Sequence, residues 1–235
     1  MNDVVVRFPL SGEWVAVNTP AEKVPSHGTD LWGQAYAYDF LRIDWNDEGF
    51  KFFAPAGWRY WLTGVVLEEC LGYGAPIYAP FPGEVVEVYD GWPERHRLHP
   101  LLDYLRAVRN ALLFESRRGQ RNGSLLPVLG NYLIIKMADQ PLYALCAHLR
   151  PARNRVALGE CVCEGQEVAQ VGHTGNSTAP HLHFQLMDRV ALASARGIPC
   201  AFRGYEALRE GTWTPANGSR PQKRELIRSC PIGHG

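Results

Sequence analysis

The chain carries no excess of either charge: 24 lysines and arginines stand against 24 aspartates and glutamates over 235 residues. A balanced chain has no general field to hold a polyanion, so neither nucleic acid nor an anionic membrane is expected as the main partner, and function is expected in a local site. Long apolar runs are also missing. The N-terminal stretch, "MNDVVVRFPLSGEW", offers only three consecutive valines before an arginine and a proline, too few for a signal-peptide core or a membrane span, so the chain as given predicts neither export nor a span. Cysteines are few and irregularly spaced (Cys70, Cys146, Cys161, Cys163, Cys200, Cys230), with no CxxC pair, so neither a disulfide framework nor a zinc ribbon is implied, and buried free thiols are expected. Lysine is absent between Lys136 and Lys223, which removes the modifiable turn lysine that a biotinyl or lipoyl carrier would need.

What is present reads as a mainly β chain. Short β-branched and aromatic runs ("WVAVN", "AYAYDFLRI", "APIYAPFPGEVVEVYDG", "NYLIIKM", "LYALCAHL", "EVAQVGHTG", "HLHFQLM") alternate with Gly and Pro, as expected of an antiparallel β core. Hydrophobic residues make up 46% of the chain, enough for a sizeable core. One domain over 1–235 is expected, with an insertion at about 91–127 and a C-terminal extension at about 189–235. Within the insertion, Leu101, Leu102, Leu105, Val108, Leu112 and Leu113 recur at helical spacing, predicting an amphipathic helix over 100–115. The Arg117, Arg118 and Arg121 run after it reads as a solvated loop. Two stretches, Gly72–Val88 and Arg155–Gly172, look like distant copies of one another.

The chemistry concentrates in "TAPHLHFQL". Residues i and i+2 of a strand share a face, so His181 and His183 view one volume while Leu182 and Phe184 turn away. Two neutral imidazoles on one face suit a metal ion, or a metal with an acid–base partner. His27 in "SHGTD" and His148 in "CAHL" are candidates to complete such a site, and His173 in "GHTG" reads as a loop residue. Asp39 is an anion in an otherwise aromatic strand, costly to bury unless it is paired or bound to a cation. Asp30, nearer to His27, sits in a polar turn where an aspartate needs no metal.

Taken in order, "SHG", "YAYDF", "GAPIYAPFPGEVV", "GNYLIIK", "YALCAHL", "GECVCEGQEVAQVGHTGNST" and "PHLHFQL" resemble the lysostaphin or LytM-type zinc endopeptidases. That family cleaves peptides in bacterial cell walls and has the duplicated hybrid motif fold, an antiparallel, barrel-sandwich-like β core. The resemblance covers about Ser26 to Met187. It implies zinc ligands at His27, Asp39 and His183, catalytic histidines at His148 and His181, and a peptide or peptidoglycan substrate. In the family's commonest pattern the aspartate follows the first histidine closely, as Asp30 follows His27 with two residues between them. Here His27 and Asp39 have eleven between them, a longer spacing found in relatives with an "SHxG...YAxDF" pattern. The resemblance leaves two further readings, a non-cutting relative that binds cell-wall peptide or regulates a partner hydrolase, and a cytosolic zinc hydrolase of another peptide.

Overall fold

The computed structural model describes residues 3–45, 51–117 and 126–230. It is mainly β. An 11-stranded sheet runs in the order Cys161–Val162, Gly83–Tyr89, Tyr132–Met137, Tyr143–Ala147, His181–Met187, Tyr38–Leu41, Glu13–Asn18, Leu226–Ser229, Tyr205–Arg209 and Thr212–Pro215, with Gly197–Ile198 pairing beside His181–Met187. Every pairing along it is antiparallel. The one parallel pair described is separate, Val4–Arg7 with Cys200–Arg203.

The two similar stretches embrace each other. Pro76–Tyr78, the first strand of one, pairs with Glu167–Gln170, the second strand of the other, while Gly83–Tyr89 pairs reciprocally with Cys161–Val162. The C-terminal extension adds its strands from Tyr205 onward to the same sheet, and Cys200, Phe202 and Tyr205 are completely buried.

Alternation of side chains across the strands separates core from site. Tyr38, Phe40, Leu182 and Phe184 face inward with no exposure, and Phe8, Phe40, Tyr38, Phe184 and Phe202 pack ring against ring at 4.9–5.7 Å. Asp39, His181 and His183 therefore take the opposite face of the same two strands.

Two expectations need correction. The run "AYAYDFLRI" is a strand only over Tyr38–Leu41, because residues Leu31–Tyr36 coil into 3-10 turns with Trp32 and Gly33 at positive φ. Cys161 and Cys163 are exposed, since their strand lies at the end of the sheet; Cys70, Cys146 and Cys200 are buried. The helix α2 extends over Pro100–Arg117. Of the arginine run after it, Arg118 and Arg121 lie outside the described residues. A second helix, α1 (Gly57–Thr63), adjoins α2, because the pairing of Val65–Val66 with Arg97–Leu98 brings the end of one beside the start of the other. Among the described residues no helix is long and apolar enough to cross a membrane.

Candidate metal and catalytic centre

Register builds the centre. His183 lies directly opposite Asp39 across the antiparallel pair, and His181 stands two residues before it on the same face. His27 reaches them from a loop that follows the cis Val24–Pro25 bond. That loop is pinned to the strand by Ser26, whose N–H donates to the Ala35 carbonyl (3.0 Å) and whose hydroxyl donates to that of Ala37 (2.7 Å). The long interval between His27 and Asp39 is thus taken up by the 3-10 turns, and both ends return to one point. Asp30 stays exposed and outside the group. His27, Asp39 and His183 each offer a ligand atom, all within 4.8 Å of one another.

Hydrogen bonding fixes which atoms those are. The single Ser26 hydroxyl proton is spent on Ala37, so Ser26 Oγ accepts from His27 Nδ1 (3.0 Å) and His27 Nε2 is left with a lone pair, 2.9 Å from Asp39 Oδ2. The Gln185 amide is oriented by donation of its Nε2 to the Trp32 carbonyl (2.7 Å), so its Oε1 accepts from His183 Nε2 (3.0 Å). His183 Nδ1 then carries the lone pair, 2.9 Å from Asp39 Oδ1. Two neutral imidazoles consequently aim acceptors at one carboxylate, an arrangement that repels unless a cation lies between them. Nitrogen, nitrogen and carboxylate oxygen are a donor set suited to zinc, and the outward ring N–H groups on Ser26 and Gln185 are the supporting bonds that metal-binding histidines usually make. Asn18 Nδ2 also donates to Asp39 Oδ2 (2.6 Å).

His148 and His181 flank this group, their rings 4.7 Å apart and that of His148 5.9 Å from His183. His148 ends its strand in the left-handed region (φ 63°), which turns its ring out of the alternating pattern. Its Nδ1 donates to the Thr174 carbonyl (2.9 Å), leaving Nε2 bare. Burial, with repulsion from His181 and His183, holds its pKa well below the usual value. His181 Nδ1 donates to the Ala179 carbonyl (2.7 Å), and its Nε2 lies 3.6 Å from Asp39 Oδ1. Burial works against the charged form of His181, yet Asp39 prevails and raises its pKa. The His27 and His181 side chains are 16% and 12% exposed, against 6% for His183, so solvent reaches the cluster from the side of the first two.

Behind His181 runs a buried chain of hydrogen bonds that sequence reading missed. Arg95 Nη2 donates to His173 Nε2 (2.7 Å), His173 Nδ1 donates to Ser177 Oγ (2.9 Å), and Ser177 Oγ donates to the Ala179 carbonyl (2.6 Å), the same oxygen that holds His181. His173, read as a loop residue, is fully buried, and burial with the Arg95 charge depresses its pKa to about 2. Gln185, a polar residue two places after His183 in an apolar strand, was a readable signal of a buried partner; Arg95, 78 residues from His173, was not.

Residues 109–194 match the profile of peptidase family M23. That range includes His148, His181 and His183. Among solved structures, the chain is similar to the catalytic domain of EnpA, a prophage-encoded M23 protein from Enterococcus faecalis, at 19% identity and a TM-score of 0.41, over 79% of this chain and 88% of that one. The lysostaphin catalytic domain from Staphylococcus simulans matches at 18% identity and a TM-score of 0.38, over 80% and 88%. A zinc-containing peptidase from Vibrio cholerae matches at 21% and 0.39, over 83% of this chain but 39% of its own length. The profile match spans the two histidine motifs that the resemblance rested on, so over residues 109–194 the chain is similar to peptidase family M23.

Proposed function

We propose that the protein is a zinc-dependent endopeptidase that hydrolyses peptide bonds in peptidoglycan cross-links or stem peptides. One body, residues 1–235, carries the site. His27 Nε2, an Asp39 oxygen and His183 Nδ1 are the zinc ligands, and the observation that carries this reading is the pair of imidazole lone pairs aimed at one buried carboxylate. Zinc, when bound, supplies Lewis acidity toward a peptide carbonyl and toward water. His148 and His181 are the catalytic residues. Each has Nδ1 committed to a backbone carbonyl, which fixes the ring and leaves Nε2 to hold or move a proton. Together they orient the attacking water, stabilise charge on the substrate carbonyl oxygen and pass a proton to the leaving amine. Ser177 and His173 are positioning residues that act through the Ala179 carbonyl on His181.

The test is metal analysis of the purified protein followed by digestion of purified cell-wall sacculi with identification of the products. Near-stoichiometric zinc and new amine termini are expected. Zinc without cleavage would favour the non-cutting reading, and absence of zinc would overturn the ligand assignment.

A further inference from the structure

Helices α1 and α2 are built inside out. In α2 the polar residues face the body: Asp103, 3% exposed, accepts from the His99 N–H (2.7 Å) and from Arg106 Nη1 (3.1 Å), and Asn110 donates to Asn176 (3.2 Å). The apolar residues Leu101, Tyr104, Leu105 and Val108 face outward, 38–63% exposed. Helix α1 has no buried residue, and Trp58, Trp61 and Leu62 are 64–72% exposed. The helices are tied at their junction, where the Arg97 guanidinium donates to the Thr63 and Gly64 carbonyls (both 3.1 Å). Apolar faces of this size on one protein ordinarily mark a contact surface.

Charge selects what covers it. Arg59, Arg97, Arg106, Arg109 and Arg117 belong to these helices and the strand between them, against two carboxylates, the buried Asp103 and Glu115, while Glu69 pairs with Arg59 from outside them (3.4 Å). A second copy of the chain would bring the face against itself and set arginine against arginine. Exposed tryptophan, tyrosine and leucine beside an excess of arginine over acid suit the interface of an anionic bilayer, where aromatic rings seat at headgroup depth and guanidinium groups meet lipid phosphate. We infer that α1 and α2 dock this protein on an anionic phospholipid surface.

The experiment is co-sedimentation of the full chain with large vesicles of phosphatidylcholine alone or mixed equally with phosphatidylglycerol, with analytical ultracentrifugation of the protein alone. Binding to the mixed vesicles at least tenfold tighter than to neutral ones is expected, weakening with salt. Trp58→Ser with Trp61→Ser and Leu105→Ser should reduce it tenfold or more with an unchanged melting temperature, since these side chains touch solvent. Arg109→Glu, a single exposed change, should weaken binding without affecting fold. No preference for anionic vesicles, undiminished binding by both variants, or a stable dimer dissolved by the triple substitution would each overturn the proposal.

Discussion

Asp39 is surrounded by groups that all want a positive partner, so substitutions around it should separate binding from chemistry. His27→Ala, Asp39→Ala and His183→Ala are expected to strip zinc, measured as metal per protein after dialysis. His148→Ala and His181→Ala should retain zinc and lower turnover about 10²- to 10⁴-fold, the usual contribution of a positioned acid–base group. Asp39→Asn should lose metal and some stability, because metal binding is linked to folding, whereas the exposed Asp30→Asn should change neither. Gln185→Leu leaves the His183 Nε2–H buried without its acceptor and should weaken zinc affinity about 10- to 100-fold. Gln185→Glu, which keeps an acceptor, should recover most of it. For the chain behind His181, Ser177→Ala is expected to lower kcat with KM and zinc content little changed.

The turns over Leu31–Tyr36 matter for the same centre. Gly33 has φ +78°, and a Cβ there would come within 2.8 Å of Met187 Cγ and 3.1 Å of Gln185 Nε2. Gly33→Ala should therefore destabilise the protein by about 1–3 kcal/mol, a loss of a few degrees in Tm, and disturb the amide that holds His183. These turns show where reading by pattern stopped. The two-residue period disclosed that His181 and His183 share a face and that Leu182 and Phe184 oppose it, and the oddity of an anion among aromatic residues singled out Asp39. The same alternation misled over Ala35–Ala37, since a positive φ at Trp32 leaves no mark in spacing. Periodicity likewise located α2 to within a few residues without telling which side it turns outward. That depends on Asp103, which accepts locally from the His99 N–H and from Arg106 but is held to the body by Arg95, a contact made only when the chain folds.

Strands from both ends of the chain complete one sheet, so stability belongs to the molecule as a unit. Removal of residues 200–235 would uncover Phe8, Phe40 and Phe184 and take away the Cys200 carbonyl that accepts the buried Tyr38 hydroxyl (2.7 Å). Loss of soluble folded protein is the expected outcome, checked by expression and circular dichroism. Acid should also act on the whole. His173 has a folded pKa near 2 against an unfolded value near 6.5, so the unfolded chain binds its proton first. Its contribution to stability is full above pH ~6.5 and declines as pH falls below that value towards 2. Urea titrations at pH 7 and 4.5 should show a smaller decline in His173→Asn than in the parent.

The reciprocal pairing of the two similar stretches sets an order of events during synthesis. Neither stretch has its partner strand until the other has left the ribosome, and Asp39 must wait for His183, 144 residues later. At roughly 5–20 residues per second that wait lasts about 7–30 s. Throughout it the nascent chain holds exposed strand edges and an incomplete ligand set, so its exposure to misassembly is greatest just before the final quarter emerges. If His27, Asp39 and His183 hold zinc as proposed, uptake of metal would be a clock for closure of the sheet, because a chain stalled before "HLHFQLM" lacks His183 however much zinc surrounds it.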